Sequence, residues 1–148
     1  MKKMYTGTIL IGLIAVLIDQ ISKGLIDKYI ELGKSIKVIN NLFYITNINN
    51  SGAAWGILPG KTDLLIVLTV VVVIILFQYL KSFNKNNRNI IAFGLLLGGI
   101  LGNFIDRLFV GYVKDFIEIN VFGYNFPIFN FSDMCIVIGA ILLIIAII

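Results

Sequence analysis

Four long apolar stretches constrain this chain more strongly than any other feature of its sequence. They cover approximately residues 4–22, 62–80, 89–108 and 132–148. Each is close to the roughly 17–25 residues that an α-helix needs to cross a bilayer. The 148 residues are 59% hydrophobic with a mean hydropathy of +0.98, well above the usual range of soluble proteins. We therefore predict an all-α membrane protein with four transmembrane helices in a single domain.

The charged residues predict the orientation of these helices. Lys2, Lys3 and the short link 81–89 are dense in cations, which is typical of cytoplasmic segments. The longer connections, 23–61 and 109–131, carry more cations in total, but long loops weigh less in this rule. We expect both termini in the cytoplasm, so the unusual polar residues of the chain should gather at the outer end.

Composition argues against several function classes. The net charge of +4 comes from cations scattered over the connections, without a basic stripe interleaved with aromatics, so we expect membrane lipids and no nucleic acid as partners. The one cysteine, Cys135, lies inside the last apolar stretch, and the chain has no histidine to activate it. A cysteine nucleophile is therefore not predicted.

Two aspartates carry the main functional signal. Asp115 follows Val113-Lys114, and Asp133 ends the segment Phe129-Asn130-Phe131-Ser132-Asp133, each at the edge of an apolar stretch. Carboxylates at membrane depth are costly and usually functional. The apolar connection between them is long enough for a hairpin, with Gly123 and Pro127 as turn points. In a chain without histidine, two converging carboxyls predict a hydrolase that uses an acid–base pair.

Each aspartate also has a structural interpretation. Asp133 lies three residues after Asn130 at the start of an apolar run, where an acid stabilises a helix N-terminus. Asp115 could be a solvated loop carboxylate. These alternatives stay open at the level of sequence.

Other polar residues recur at helical spacing. Asn103 and Arg107 lie four residues apart, with Gly99 a further turn back, and Arg107 could alternatively extend to the membrane interface. Asp19 and Lys23 are spaced for a helical ion pair. A second strip of small residues predicts close helix packing and consists of Gly94, Gly98 and Gly102.

The first long connection predicts short strands. Residues 35–46 alternate apolar and polar side chains around Asn40-Asn41, which favours two strands joined by a turn. Residues 50–56 form a turn rich in small residues, and the aromatic side chains suited to the membrane interface are Tyr29, Phe43, Tyr44 and Trp55.

Five segments, taken in order, resemble the bacterial lipoprotein signal peptidases, also called signal peptidase II. They are Asp19-Gln20-Ile21-Ser22-Lys23, the Asn50–Trp55 run NSGAAW, the Gly98–Arg107 run GGILGNFIDR, Val113-Lys114-Asp115-Phe116 and Phe129-Asn130-Phe131-Ser132-Asp133.

The resemblance implies a four-helix aspartic endopeptidase of the bacterial cytoplasmic membrane with a small extracytoplasmic β-structured cradle. Such enzymes cleave diacylglyceryl-modified prolipoproteins before the lipidated cysteine, need no metal or cofactor, and are inhibited by cyclic peptides of the globomycin type. Asp115 and Asp133 match the catalytic pair. The residues that match site-supporting or substrate-binding positions are Asp19, Lys23, Asn50, Gly99, Asn103, Arg107 and Asn130.

Two positions depart from the family pattern. Ser132 stands where alanine is usual, and we expect its hydroxyl beside the carboxyl pair. Lys114 stands where an aliphatic residue is usual, and we expect this cation to depress the pKa of Asp115.

Two functions from other classes remain as alternatives. Intramembrane acids also mark ion pathways, so a small ion or proton transporter is one. A non-catalytic membrane assembly subunit, held by its glycine-rich face, is the other. The acids gather at one end of the predicted bundle instead of lining a path through it, which favours the peptidase.

Overall fold

The computed structural model describes residues 2–53 and 56–147, so the interface role predicted for Trp55 lies outside the described residues. The described chain has four helices and two pairs of strands, one pair between the first and second helices and the other between the third and fourth. In chain order they are α1 (Lys2–Tyr29), β1 (Ser35–Ile39), β2 (Phe43–Asn50), α2 (Thr62–Leu80), α3 (Asn87–Phe109), β3 (Val113–Val121), β4 (Tyr124–Asn125) and α4 (Phe131–Ile147).

The helices follow the four apolar stretches of the sequence. Three of those in the described chain, α1, α2 and α3, are long and apolar enough to cross a membrane. The fourth, α4, is apolar but shorter, so its crossing stays a prediction. The first helix is longer than the predicted stretch 4–22 and continues to Tyr29, and Lys23 pairs with Asp19 within it.

The third helix lies at the centre of the bundle. The close helix packing predicted for its glycine strip is confirmed, and α1 is the partner at two positions: a Cβ added to Gly98 would lie 2.5 Å from the Ala15 Cβ, and one added to Gly94 would lie 2.6 Å from Ile11. Because these positions lack side chains, the backbones of α1 and α3 approach closely. By contrast, α2 buries little of its surface, as expected for a helix with lipid as its solvent.

The strands form one antiparallel sheet in the order β1-β2-β3-β4. The prediction of two strands within residues 35–46 is confirmed, with Asn41 in the left-handed region at a φ of 56°. The turn between β3 and β4 uses Phe122 and Gly123, both at positive φ, whereas Pro127 lies beyond the strands. Because β2 pairs with β3, the two long connections meet at the same end of the bundle.

An extra residue in β2 changes which side chains share a face of the sheet. Ile45 lies opposite Ile117, but three residues later Ile48 lies opposite Asp115, so a bulge occupies Thr46-Asn47. Side chains alternate between faces along a strand, and one inserted residue reverses the alternation beyond it. The bulge therefore places Asn50 on the same face as Asp115.

Candidate active site

The carboxyls of Asp115 and Asp133 meet at Asn130. Asp115 lies on β3, and Asp133 lies in the first turn of α4. The side-chain Nδ2 of Asn130 donates to Oδ1 of Asp115 at 2.7 Å, and its backbone N–H donates to Oδ2 of Asp133 at 3.0 Å. The hairpin thus brings the two aspartates together as the sequence predicted.

Asn130 is also the N-cap of α4. Its Oδ1 accepts from the backbone N–H of Asp133 at 3.0 Å, while the Asp133 carboxylate accepts from the backbone N–H of Asn130. This reciprocal arrangement is a capping box, which satisfies two backbone donors at a helix start. The structural interpretation of Asp133 is therefore correct, and it coexists with the convergence of the two carboxyls.

Asn103 on α3 holds the other oxygen of Asp133. Its Nδ2 donates to Oδ1 of Asp133 at 2.8 Å. Its Oδ1 accepts from the Lys23 ammonium at 3.0 Å and from Nδ2 of Asn130 at 3.1 Å. With two donors on its oxygen, the amide of Asn103 is oriented so that its nitrogen faces the carboxylate.

A buried charge cluster supports Asn103 from behind. Lys23 bridges Asp19 and Asp106 with N–O distances of 2.7 Å each, which confirms the predicted Asp19–Lys23 ion pair. The Asp19 carboxylate also accepts from the backbone N–H of Ser132 at 2.9 Å, tying α1 to the start of α4. The role of Asp106 in this cluster was not predicted from the sequence, although the residue lies three positions after Asn103.

Gln20 completes this cluster and was also missed. Its Nε2 donates to Oδ1 of Asp106 at 2.8 Å and to Oδ2 of Asp19 at 3.2 Å. Its position directly after Asp19 was the only sign of this role in the sequence.

Asn50 contacts the second oxygen of Asp115. Its Nδ2 donates to Oδ2 of Asp115 at 2.9 Å, and its Oδ1 accepts from the backbone N–H of Gly52 at 2.9 Å. Arg107 donates to the carbonyl of Gly52 at 2.9 Å and makes no ion pair in the described part of the chain. Arg107 therefore holds the loop that begins at Asn50 instead of simply extending to the interface.

Gly99 permits the close approach of α4. A Cβ at this position would collide with the carbonyl oxygen of Ser132 and lie 2.9 Å from Cγ1 of Ile136. The absence of a side chain at Gly99 therefore sets the position of the helix turn that carries Asp133.

Burial dominates the electrostatics of Asp115, which is 4% exposed. The pKa of its carboxyl is raised to about 6, chiefly because burial strips water from the carboxylate, and the charge of Asp133 adds to this. Hydrogen bonds from Asn50 and Asn130 and the charge of Lys23 act in the opposite direction, because they favour the charged form.

The expectation that Lys114 depresses this pKa is wrong. Adjacent strand residues point to opposite faces, so the side chain of Lys114 leaves the site. Its ammonium bonds to Oδ1 of Asp27 at 2.5 Å and to Oδ1 of Asn47 at 2.7 Å. The charge of Lys114 is compensated there, and the pKa of Asp115 is raised.

The hydroxyl of Ser132 does not join the carboxyl pair either. The side chain is 1% exposed and faces Gly102 of α3, and its oxygen has no hydrogen-bond partner among the described residues. The N-terminal turn of a helix points successive side chains in different directions, so Ser132 and Asp133 face different neighbours.

Within the described residues, no three cysteine or carboxylate side chains come together in a way that could hold a metal ion. The arrangement offers two hydrogen-bonded carboxyls, oriented asparagine amides and a buried cation nearby. Such a set can donate and accept protons at a polarised bond.

Comparisons with known proteins agree with this arrangement. Two solved structures of bacterial membrane enzymes, both determined by the in meso method, are similar to the chain at 44% sequence identity. The one at 2.3 Å resolution has a TM-score of 0.88 and is matched over 95% of this chain and 86% of its own. The one at 1.9 Å has a TM-score of 0.85, with coverages of 95% and 92%.

The sequence model of signal peptidase (SPase) II matches residues 11–148, nearly the whole chain. The match includes both aspartates, the polar helix residues around them and all four strands. The chain therefore belongs to the signal peptidase II family of membrane peptidases.

Proposed function

We propose that the protein is an aspartic endopeptidase that removes the signal peptide from diacylglyceryl-modified prolipoproteins by cleaving before the lipidated cysteine. Asp115 and Asp133 are the proposed catalytic pair. The observation that carries this proposal is that the buried Asn130 hydrogen-bonds both carboxyls, which brings the buried Asp115 and the half-buried Asp133 together.

The proposed reaction follows from two carboxyls that share a proton, because like charges this close do not both ionise readily. The ionised carboxyl takes a proton from a water molecule, which attacks the scissile carbonyl carbon. The protonated carboxyl donates a hydrogen bond to the carbonyl oxygen and a proton is then delivered to the leaving amine. The apparent pKa values belong to the pair, and the chemistry requires neither a metal nor a cofactor.

The asparagines act mainly as positioning residues in this proposal. The side-chain nitrogens of Asn103 and Asn130 already donate to the carboxyl pair or to each other. Asn50 holds the outer oxygen of Asp115 and the loop that follows. Arg107, bonded to the carbonyl of Gly52, would hold the same loop against the substrate backbone.

The substrate would reach the site from the membrane. Many apolar side chains of α1 and α2 are exposed, which leaves room for lipid and for the acyl chains of a lipidated cysteine. We place the protein in the bacterial cytoplasmic membrane with α4 as a fourth span, both termini cytoplasmic and the sheet on the outer side. Cyclic peptides of the globomycin type should compete for the site.

The transporter and assembly alternatives are less well supported. The charged residues buried in the bundle, Asp19, Lys23 and Asp106, belong to the same cluster behind the carboxyl pair. They form no series through the membrane, as an ion pathway would require.

A cleavage assay tests the proposal. Purified protein in detergent is incubated with a diacylglyceryl-modified precursor, and the product is resolved by gel shift. Asp115→Asn and Asp133→Asn should each lower the rate by at least about a hundredfold, the usual contribution of general acid–base catalysis. Glu118→Gln is the matched control, because it neutralises a carboxylate on the same strand as Asp115 and should cleave normally.

Mass spectrometry of the products locates the cleaved bond. Cleavage before the lipidated cysteine is expected. If Asp115→Asn and Asp133→Asn both cleave at the wild-type rate, the two aspartates are structural and the proposed mechanism is wrong.

A further inference from the structure

Lys114 is a buried cation that the proposed chemistry does not use. It is 5% exposed, directly precedes Asp115 on β3, and points to the opposite face of the strand. Its only ion-pair partner in the described chain is Asp27, near the C-terminus of α1. A buried ammonium is costly unless it is paired and hydrogen-bonded, so this contact defines the position of β3 strongly.

Asn47 connects Lys114 to the end of α1. Its side chain is almost fully buried and accepts from the Lys114 ammonium at 2.7 Å. Its Nδ2 donates to the carbonyl of Ile30 at 2.7 Å and to Asp27 at 3.2 Å. The backbone of Asn47 is fixed as well, through bonds to Gly33 and Lys34.

The bulge in β2 makes this contact possible. In an uninterrupted register Asn47 would lie opposite Asp115 and share its face. The extra residue at Thr46-Asn47 turns Asn47 toward Lys114 and turns Asn50 toward Asp115. One irregularity therefore serves both faces of the strand.

One face of α1 is linked to both carboxyls through intermediate side chains. Asp19, Lys23 and Asp27 are spaced by four residues and lie on the same side of the helix. Lys23 orients Asn103, which holds Asp133. Asp27 holds Lys114, the residue next to Asp115.

We propose that Lys114, with Asp27 and Asn47, forms an anchor that fixes β3 to α1 and thereby positions Asp115 relative to Asp133. We call these three residues the β3 anchor. Lys114 is a positioning residue in this scheme and touches no substrate. The inference rests on the proposed function of the carboxyl pair, and it assigns a role to the lysine that departs from the family pattern.

Loss of the anchor should change the kinetics through geometry. When β3 shifts, the hydrogen bonds from Asn50 and Asn130 to Asp115 lengthen. These bonds favour the charged carboxylate. The apparent pKa that reports the ionisation of Asp115 in the pH–rate profile should therefore rise. The other charged groups around Asp115 are Asp133 on α4, Lys23 on α1 and Arg107 on α3, and they are left intact.

Two variants distinguish displacement of β3 from a direct electrostatic effect of the removed charge on Asp115. Lys114→Met removes a positive charge and Asp27→Ala removes a negative one. Through space, these two changes would move the apparent pKa in opposite directions. Displacement of β3 moves it upward in both.

The experiment measures kcat, KM and the pH–rate profile with the diacylglyceryl-modified precursor in detergent, well below the melting temperature of each variant. Both variants should lower kcat by about tenfold to a hundredfold with KM little changed, since small misplacements of reacting groups are expensive. The double variant Asp27→Ala/Lys114→Met should be no slower than the slower single variant. Lys37→Met, which removes an exposed lysine from β1, is the control and should behave as wild type.

The outcomes distinguish this inference from the proposed function. If wild type cleaves but both anchor variants keep its kcat and pH profile, the anchor does not position Asp115. Shifts of opposite sign would also overturn the inference, because they indicate a direct electrostatic effect. If Lys114→Met does not fold, Asp27→Ala tests the inference alone. Asp27 is half exposed, so its loss should be tolerated. In this variant only displacement of β3 raises the apparent pKa of Asp115, because loss of a negative charge would lower it. Cleavage by Asp115→Asn would instead overturn the proposed function and the inference with it.

Discussion

Asn130 donates a hydrogen bond of 2.7 Å from its side-chain nitrogen to Oδ1 of Asp115. The same side chain caps the helix that carries Asp133 through its oxygen. One residue thus fixes the start of α4 and joins this helix to β3. Its two roles can be separated by choice of substitution.

Asn130→Ser keeps an oxygen for the N-cap but loses the bond to Asp115. We expect the melting temperature to stay near that of wild type, while kcat falls by about tenfold or more. Asn130→Ala should lose the cap as well and destabilise the protein by about 1 kcal/mol. Thermal unfolding in detergent and the cleavage assay measure the two effects. Full activity of Asn130→Ser would show that the bond to Asp115 is dispensable.

The raised pKa of Asp115 predicts how stability depends on pH. Its carboxyl binds a proton more tightly in the folded protein, with a pKa of about 6, than in the unfolded chain. This stabilising contribution is therefore complete below the unfolded pKa and is lost as pH rises through about 6. Between pH 4 and pH 7 the free energy of unfolding should fall by about 2 kcal/mol more in wild type than in Asp115→Asn. Equal pH slopes for the two proteins would contradict the assignment.

Asn50 tunes the same carboxyl in the opposite direction. Its hydrogen bond to Oδ2 favours the charged form, so Asn50→Ala should raise the pKa of Asp115 above about 6. The apparent pKa that reports Asp115 in the pH–rate profile should then move to higher pH. If Asn50→Ala folds normally and this apparent pKa is unchanged, the bond contributes little to the ionisation of the pair.

Two glycine-to-alanine changes should have opposite effects on stability. At Gly99 a new Cβ collides with the carbonyl of Ser132, so Gly99→Ala should destabilise the fold by about 1–3 kcal/mol and lower kcat. At Gly24 on α1 a Cβ meets nothing within 4 Å, so Gly24→Ala should stabilise the helix by up to about 1 kcal/mol. Melting temperatures of the two variants provide the comparison, and a tolerated Gly99→Ala would argue against tight α3–α4 packing.

Labelling tests the proposed orientation. Phe122→Cys, at the exposed β3–β4 turn, should react with a membrane-impermeant maleimide in intact cells. Lys85→Cys, in the α2–α3 link, should react only after permeabilisation. The native Cys135 is 2% exposed and should give little background. The reverse pattern would invert the topology.

Much of this site could be predicted from local sequence because its signals are local. The spacing of Asp19 and Lys23 predicts an ion pair on one helix face, and the glycine strip predicts close packing of α3 against another helix. The segment from Asn130 to Asp133 has the spacing of a helix cap. Each pattern depends on residues within one or two helical turns, so its geometry follows from the chain itself.

The tertiary structure alone decided which face of the sheet each polar residue occupies. The bulge at Thr46-Asn47 puts Asn50 beside Asp115 and Asn47 beside Lys114, and nothing in the local sequence marks it. The alternation of side chains has a period of two, so a shift of one residue reverses every assignment beyond it. The apolar helices and the residue types of the site follow from local sequence, because hydropathy and helical spacing are properties of neighbouring residues. Pairing between distant strands determined how those residues meet, including the turn of Lys114 away from Asp115 toward Asp27.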